Sequence, residues 1–115
     1  MIERSGDPKS RTIPRIVGSL TNHVARIRTV QRLDSEGEPS KEAASRLEMH
    51  PFYVQKLYAQ SRNFSSEELR RVTVRLALLD HALKGGSRLP PELELERALV
   101  EITRASTREP ATAPA

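Results

Sequence analysis

The run Ser65-Ser66-Glu67-Glu68, followed by Leu69, Val72, Leu76, Leu79 and Leu83, leaves little choice of local structure. Ser65 stands three residues before Glu68. Each side chain can therefore satisfy a backbone N–H at a helix start, where the first turns have no internal acceptor. The apolar residues recur at steps of three and four, which places them on one face of a helix. Gly85 and Gly86 end it, because glycine enters the left-handed region without a steric penalty.

The same period governs the rest of the chain. Ile13, Ile16, Val17, Leu20, Val24, Ile27 and Val30 form one stripe, with Arg15, Ser19, Asn22, Arg26 and Thr29 opposite. This predicts a first helix from Pro14 to about Glu36, with Thr12 near its cap and Gly37 and Pro39 at its end. Ser40 is placed to cap a short helix, Lys41 to Leu47, that turns Ala43, Ala44 and Leu47 inward. The His50-Pro51 step disfavours helix at His50 and opens a third helix running through about Ser61. A fifth helix starts near Pro91 with Leu95, Leu99 and Ile102 inward. No segment alternates with period two, so the expected fold is an all-α bundle of about five helices.

Residues 1–12 are polar and hold no periodic apolar set, and 106–115 are rich in Pro, Ala and Thr. They read as a flexible lead-in and a disordered tail, which leaves 13–105 as the folding region. At 115 residues there is room for one domain of modest core. The absence of cysteine excludes disulfide scaffolds, thiolate metal sites and cysteine nucleophiles. The opening residues have no apolar core suited to a signal peptide, and no apolar run of membrane-spanning length occurs. A cytoplasmic protein without a membrane partner is expected.

Catalytic signatures are missing where they would be looked for. In Lys84-Gly85-Gly86-Ser87 the lysine precedes the glycines, the reverse of a phosphate-cradling loop, so a helix end with a basic last turn is the simpler reading. His23, His50 and His81 have no ligand-like spacing. Asp80 and His81 are adjacent on a helix and point apart. No catalytic, cofactor-binding or metal-binding residue is assigned, and the chain is not read as an enzyme.

Two readings of residues 44–57 stand side by side. Ala44, Leu47, Met49, Val54 and Leu57 suit a helix-turn-helix corner, which would make the chain a DNA-binding module. Yet the early positions of its second helix hold Phe52 and Tyr53 before Gln55 and Lys56, and Glu48 occupies the turn where glycine is usual. The net charge of +4 neutralises few phosphates. On the alternative reading, Phe52, Tyr53, Tyr58 and Phe64, the only aromatics, lie mainly in protein contacts, with Phe64 stapling the entry to the fourth helix onto Leu69.

The corner A-x-x-L-x-M-H-P-F-x-V-x-K-L, the entry Q-S-R-N-F-S-x-E-E-L, the exit L-D-x-A-L-K-G-G and the closing L-E-R-A-L-V-E-I carry a family likeness. With the preceding IPRIVGSLTNHVARIRTVQRL, the folding region resembles the C-terminal domain of the delta subunit of the bacterial DNA polymerase III clamp loader. The resemblance implies a helical segment of a pentameric collar that holds the loader subunits together. It implies no ATP hydrolysis, and contact with DNA and the sliding clamp only indirectly or through domains with no counterpart in these residues. The fourth helix carries Val74, Leu78 and Ala82 beyond its leucine seam, interleaved with Arg71, Arg75 and His81. From the pattern alone these six form either a wide intramolecular stripe or a subunit contact, and the resemblance favours the contact.

A chain without a loop of successive N–H groups ending in Lys-Ser/Thr has nothing to receive a triphosphate. Titration with a fluorescent ATP analogue should show no saturable binding at micromolar concentrations.

Overall fold

The computed structural model describes the backbone of residues 6–112 and the side chains of residues 11–104. Five α-helices make up the described fold: α1 (Gly6–Ser35), α2 (Ser40–Leu47), α3 (Pro51–Ser61), α4 (Ser66–His81) and α5 (Pro91–Thr112). A π-helical turn, Ala82–Gly86, follows α4. The all-α expectation holds, α2 and α3 fall within a residue of the bounds that spacing and proline give them, and α5 starts at Pro91. The helix α1 begins at Gly6, ahead of the expected start at Pro14, and carries Pro14 inside it. At the other end, α5 continues to Thr112, into the stretch from 106 expected to be a disordered tail.

The chain divides into two compact units, a central one of Asn22–Arg70 and a terminal one of Met1–Thr21 with Arg71–Ala115. In the central unit Ile27, Val30 and Leu33 of α1 meet Ala43 and Ala44 of α2, Val54, Leu57 and Tyr58 of α3, and Leu69. The small side chains at Ala43 and Ala44, both buried, let α2 approach α3 closely. Leu47, Met49, Tyr53 and Phe64 pack against this cluster from its edge.

Polar straps close the same unit. The Tyr58 hydroxyl donates to the Glu38 carbonyl at 2.8 Å, and Arg46 grips the Glu38 carboxylate through two nitrogens at 3.0 and 2.9 Å. Gln31 Nε2 donates to the carbonyls of Ser61 and Phe64 at 3.1 and 2.8 Å, satisfying acceptors that the end of α3 leaves over. Arg62 forks onto Asp34 at 2.8 and 3.1 Å, and its hydrogen bonds hold that carboxyl below its usual range.

The helix ends show what spacing captures and what it misses. Ser65 and Glu68 form the reciprocal box, with Ser65 N to Glu68 Oε1 at 2.8 Å and Glu68 N to Ser65 Oγ at 3.0 Å. Ser40 is not a cap; Pro39 holds that position in extended geometry, and α2 starts with no side-chain cap. Glu48 ends α2 with φ of 57°, a left-handed conformation more costly for it than for glycine. His50 caps α3, its Nδ1 accepting from Phe52 N at 3.0 Å. Gly85 takes φ of 110° in the turn after α4.

Burial pushes the Tyr58 phenol above its ordinary value of 10.0, with the carboxylates of Glu38 and Asp34 adding to the shift. A group raised in this way contributes stability that is complete below the unfolded pKa of about 10 and is lost as pH climbs through the folded value. Tyr58→Phe should therefore lower stability by about 1 kcal/mol at neutral pH. It should also flatten the decline above about pH 10. Denaturant titrations across that range check both outcomes. Phe64→Ala, which opens the edge of the same cluster, should reduce stability by roughly 1–3 kcal/mol in the same assay.

Candidate functional site

In the terminal unit Leu76 and Leu79 of α4 and Ala98 of α5 are buried, as are Ile13 and Val17 of α1. The opposite face of α4 presents Val74 and Leu78, 46% and 57% exposed, one helical turn apart, with the half-buried Ala82 a turn further on. Among the described residues every large exposed apolar side chain except Phe52 belongs to this unit. Exposed aliphatic side chains among the described residues are therefore concentrated in one of the two units.

The six residues expected at a subunit contact fall into three groups. Val74 and Leu78 on α4 and Ala82, first residue of the π-helical turn, follow one another at steps of four. His81 is exposed, with Gly86 so close that a Cβ there would lie 2.6 Å from the imidazole Cδ2. Arg71 and Arg75 are half-buried. The Arg75 guanidinium is ion-paired with Glu101 of α5, so it ties two helices of its own unit.

The structure places α5 one position out of the phase expected for it. Glu94 and Ala98 take its buried face, Leu95 and Ile102 are half-buried, and Leu99 stands 44% exposed beside the exposed Val100. The spacing Leu95-Leu99-Ile102 pointed to the neighbouring stripe because a carboxylate is a poor candidate for burial. Glu94 is tolerated there because the Ser87 hydroxyl donates to it, while Ser87 Oγ also accepts from Leu89 N at 3.0 Å. Leu99 and Val100 thus join the exposed apolar set, and only the run of three apolar residues, Ala98 to Val100, followed by Ile102 beyond Glu101, hints at it in the sequence.

In the central unit α2 and α3 do pack as a corner. Its second helix, however, opens on Phe52, which is 59% exposed, contrary to the expectation that all four aromatics lie in protein contacts. Tyr58 is buried and Tyr53 and Phe64 are half-buried, as expected. No group of histidine, cysteine and acidic residues suited to a metal ion occurs among the described residues, and none of their helices is long and apolar enough to cross a membrane.

Leu78 and Leu79 are neighbours in sequence with opposite surroundings, 57% exposed and fully buried. Leu78→Asp should change stability by no more than about 0.5 kcal/mol, whereas Leu79→Asp should cost more than about 4 and unfold the chain. Urea titrations of the two variants check the assignment.

Residues 9–102 match the family described as DNA polymerase III delta subunit, C-terminal domain. The chain is similar to the DNA polymerase III subunit delta of Bacillus subtilis (strain 168), with 32% identity over 90 residues, which is 78% of this chain and 26% of that protein. The chain thus spans about a quarter of the length of that curated relative. No solved structure matches it.

Proposed function

The chain belongs to the DNA polymerase III delta subunit family through its C-terminal domain, and we propose that it is an assembly domain of the clamp loader. In this reading it forms one segment of a pentameric collar in the cytoplasm, joins the other loader subunits, and catalyses nothing itself. Placement of the sliding clamp on DNA depends on it through the complex it holds together.

The observation that carries the reading is the segregation of exposed apolar side chains onto the terminal unit. The stripe of Val74 and Leu78 on α4 and Ala82 in the turn that follows it, with Leu99 and Val100 on α5, supplies the apolar centre that a stable interface requires. Arg71, half-buried, and His81, exposed, lie beside that stripe and form its polar border. Arg75 acts from within, because its ion pair with Glu101 fixes α5 against α4 and so sets the spacing of the two apolar rows. A helix-turn-helix reading draws no support from the corner, whose leading exposed side chain is the apolar Phe52.

The test is reconstitution. Mixed with the other clamp-loader subunits of its organism, the chain should co-elute with them in size-exclusion chromatography. Leu78→Asp should abolish or weaken that association at least about tenfold while leaving the melting curve in place. Wild-type chain that elutes alone, or a Leu78→Asp variant that assembles normally, refutes the proposal. Binding to duplex DNA should be weak, indifferent to sequence and lost by physiological salt; a footprint that survives there would restore the DNA-binding alternative.

A further inference from the structure

Phe52 is the one large apolar side chain in the central unit that stands exposed among the described residues. The domain has only four aromatics, and burial of each would stabilise it, so leaving one 59% exposed forgoes stability that a different rotamer or residue could supply. The ring is not idle, however. Lys56 Nζ lies 4.9 Å from its centroid, within cation–π range, which holds a positive charge directly above an apolar surface.

Beside this pair runs a groove of about 510 Å³ between α1 and α3, lined by His23, Tyr53, Lys56, Ala59, Gln60 and Asn63 with the buried Leu57. No acidic side chain lines it. A second cation reaches it from α1, where Arg26 Nη1 donates to the Tyr53 hydroxyl at 3.4 Å. Lys56 and the amides of Gln60 and Asn63 thus line the groove, and exposed Arg26 and Phe52 adjoin it through Tyr53 and Lys56.

We infer that this groove docks an acidic peptide segment of another protein, with an apolar side chain of the segment seated against Phe52 and its carboxylates facing Lys56 and Arg26. The charge of the lining selects for anions, and the exposed ring selects for an apolar neighbour. A nucleic-acid strand shares the charge but fits less well. Lys56 covers one face of the only exposed ring, leaving no ladder of aromatics on which successive bases could stack, and two cations follow a phosphate backbone only briefly. The site lies in the central unit, apart in sequence from the α4 and α5 residues assigned to assembly, so it can be altered without touching them.

The whole chain, isotope-labelled for amide spectra, should be titrated with a peptide of four aspartates followed by leucine and phenylalanine. A version with asparagine in place of aspartate and an oligothymidine of equal charge serve as comparisons. Saturable binding of the acidic peptide, with shifts centred on Tyr53, Lys56 and Gln60 and absent with the asparagine version, is the expected result. Phe52→Ala and Lys56→Glu should each weaken it at least about tenfold with unchanged melting curves. The inference is overturned if the acidic peptide does not bind, if the asparagine version binds equally, or if Phe52→Ala binds as the parent does. Oligothymidine bound with the same dependence on Phe52 would assign the groove to nucleic acid and overturn it as well.

Discussion

Glu38 holds the central unit together from a position between two helices. Its carbonyl receives the buried Tyr58 hydroxyl, and its carboxylate receives the fork of Arg46. One residue in the turn after α1 thus anchors both α3 and α2. The arrangement compensates for composition. A chain with four aromatics and no tryptophan fills its interior with valine, leucine and alanine, and such a core gains little from any single residue. Hydrogen bonds that lock helices at defined heights then specify which of several similar packings is adopted.

The straps of the central unit share a logic. Gln31, Asp34 and Glu38 lie at intervals of three and four along the end of α1 and the turn beyond it, and each reaches a different acceptor or donor on the far side of the unit. Gln31 takes the carbonyls of Ser61 and Phe64 just before the Ser65–Glu68 box begins α4. The end of one helix and the start of the next are therefore both satisfied within a few residues. That leaves Phe64 held by its carbonyl and free to pack its ring against the cluster, as the staple position requires.

The helices were legible in the sequence because apolar spacing, prolines and the capping box are local signals that agree with one another. What could not be read depends on the conformation the backbone and side chains adopt on folding. Nothing near Ser40 reveals that Pro39 would take the cap, and nothing near Glu94 reveals that Ser87 would satisfy it and so rotate α5 by one position. Phe52 misleads in the opposite sense. Its hydrophobicity argues for burial, but position 52 lies on the side of α3 away from Val54, Leu57 and Tyr58, which already supply that helix's share of the core. The candidate interface was half visible. Val74, Leu78 and Ala82 follow from the surplus of apolar residues on α4, while Leu99 and Val100 emerge only once the buried face of α5 is known.

The two units divide the surface between two kinds of chemistry. In the central unit the turns and helix ends are tied by side-chain hydrogen bonds, and the one exposed ring carries a cation above it. In the terminal unit two polar contacts stand beside the apolar rows, with Arg75 drawn to Glu101 and Ser87 to Glu94. An interface of aliphatic side chains needs its rows held at fixed spacing, since packing energy falls steeply when surfaces separate by even a fraction of an ångström. The ion pair of Arg75 with Glu101 ties α4 to α5 and so stiffens the apolar side chains, Val74 and Val100, that precede the two residues in sequence.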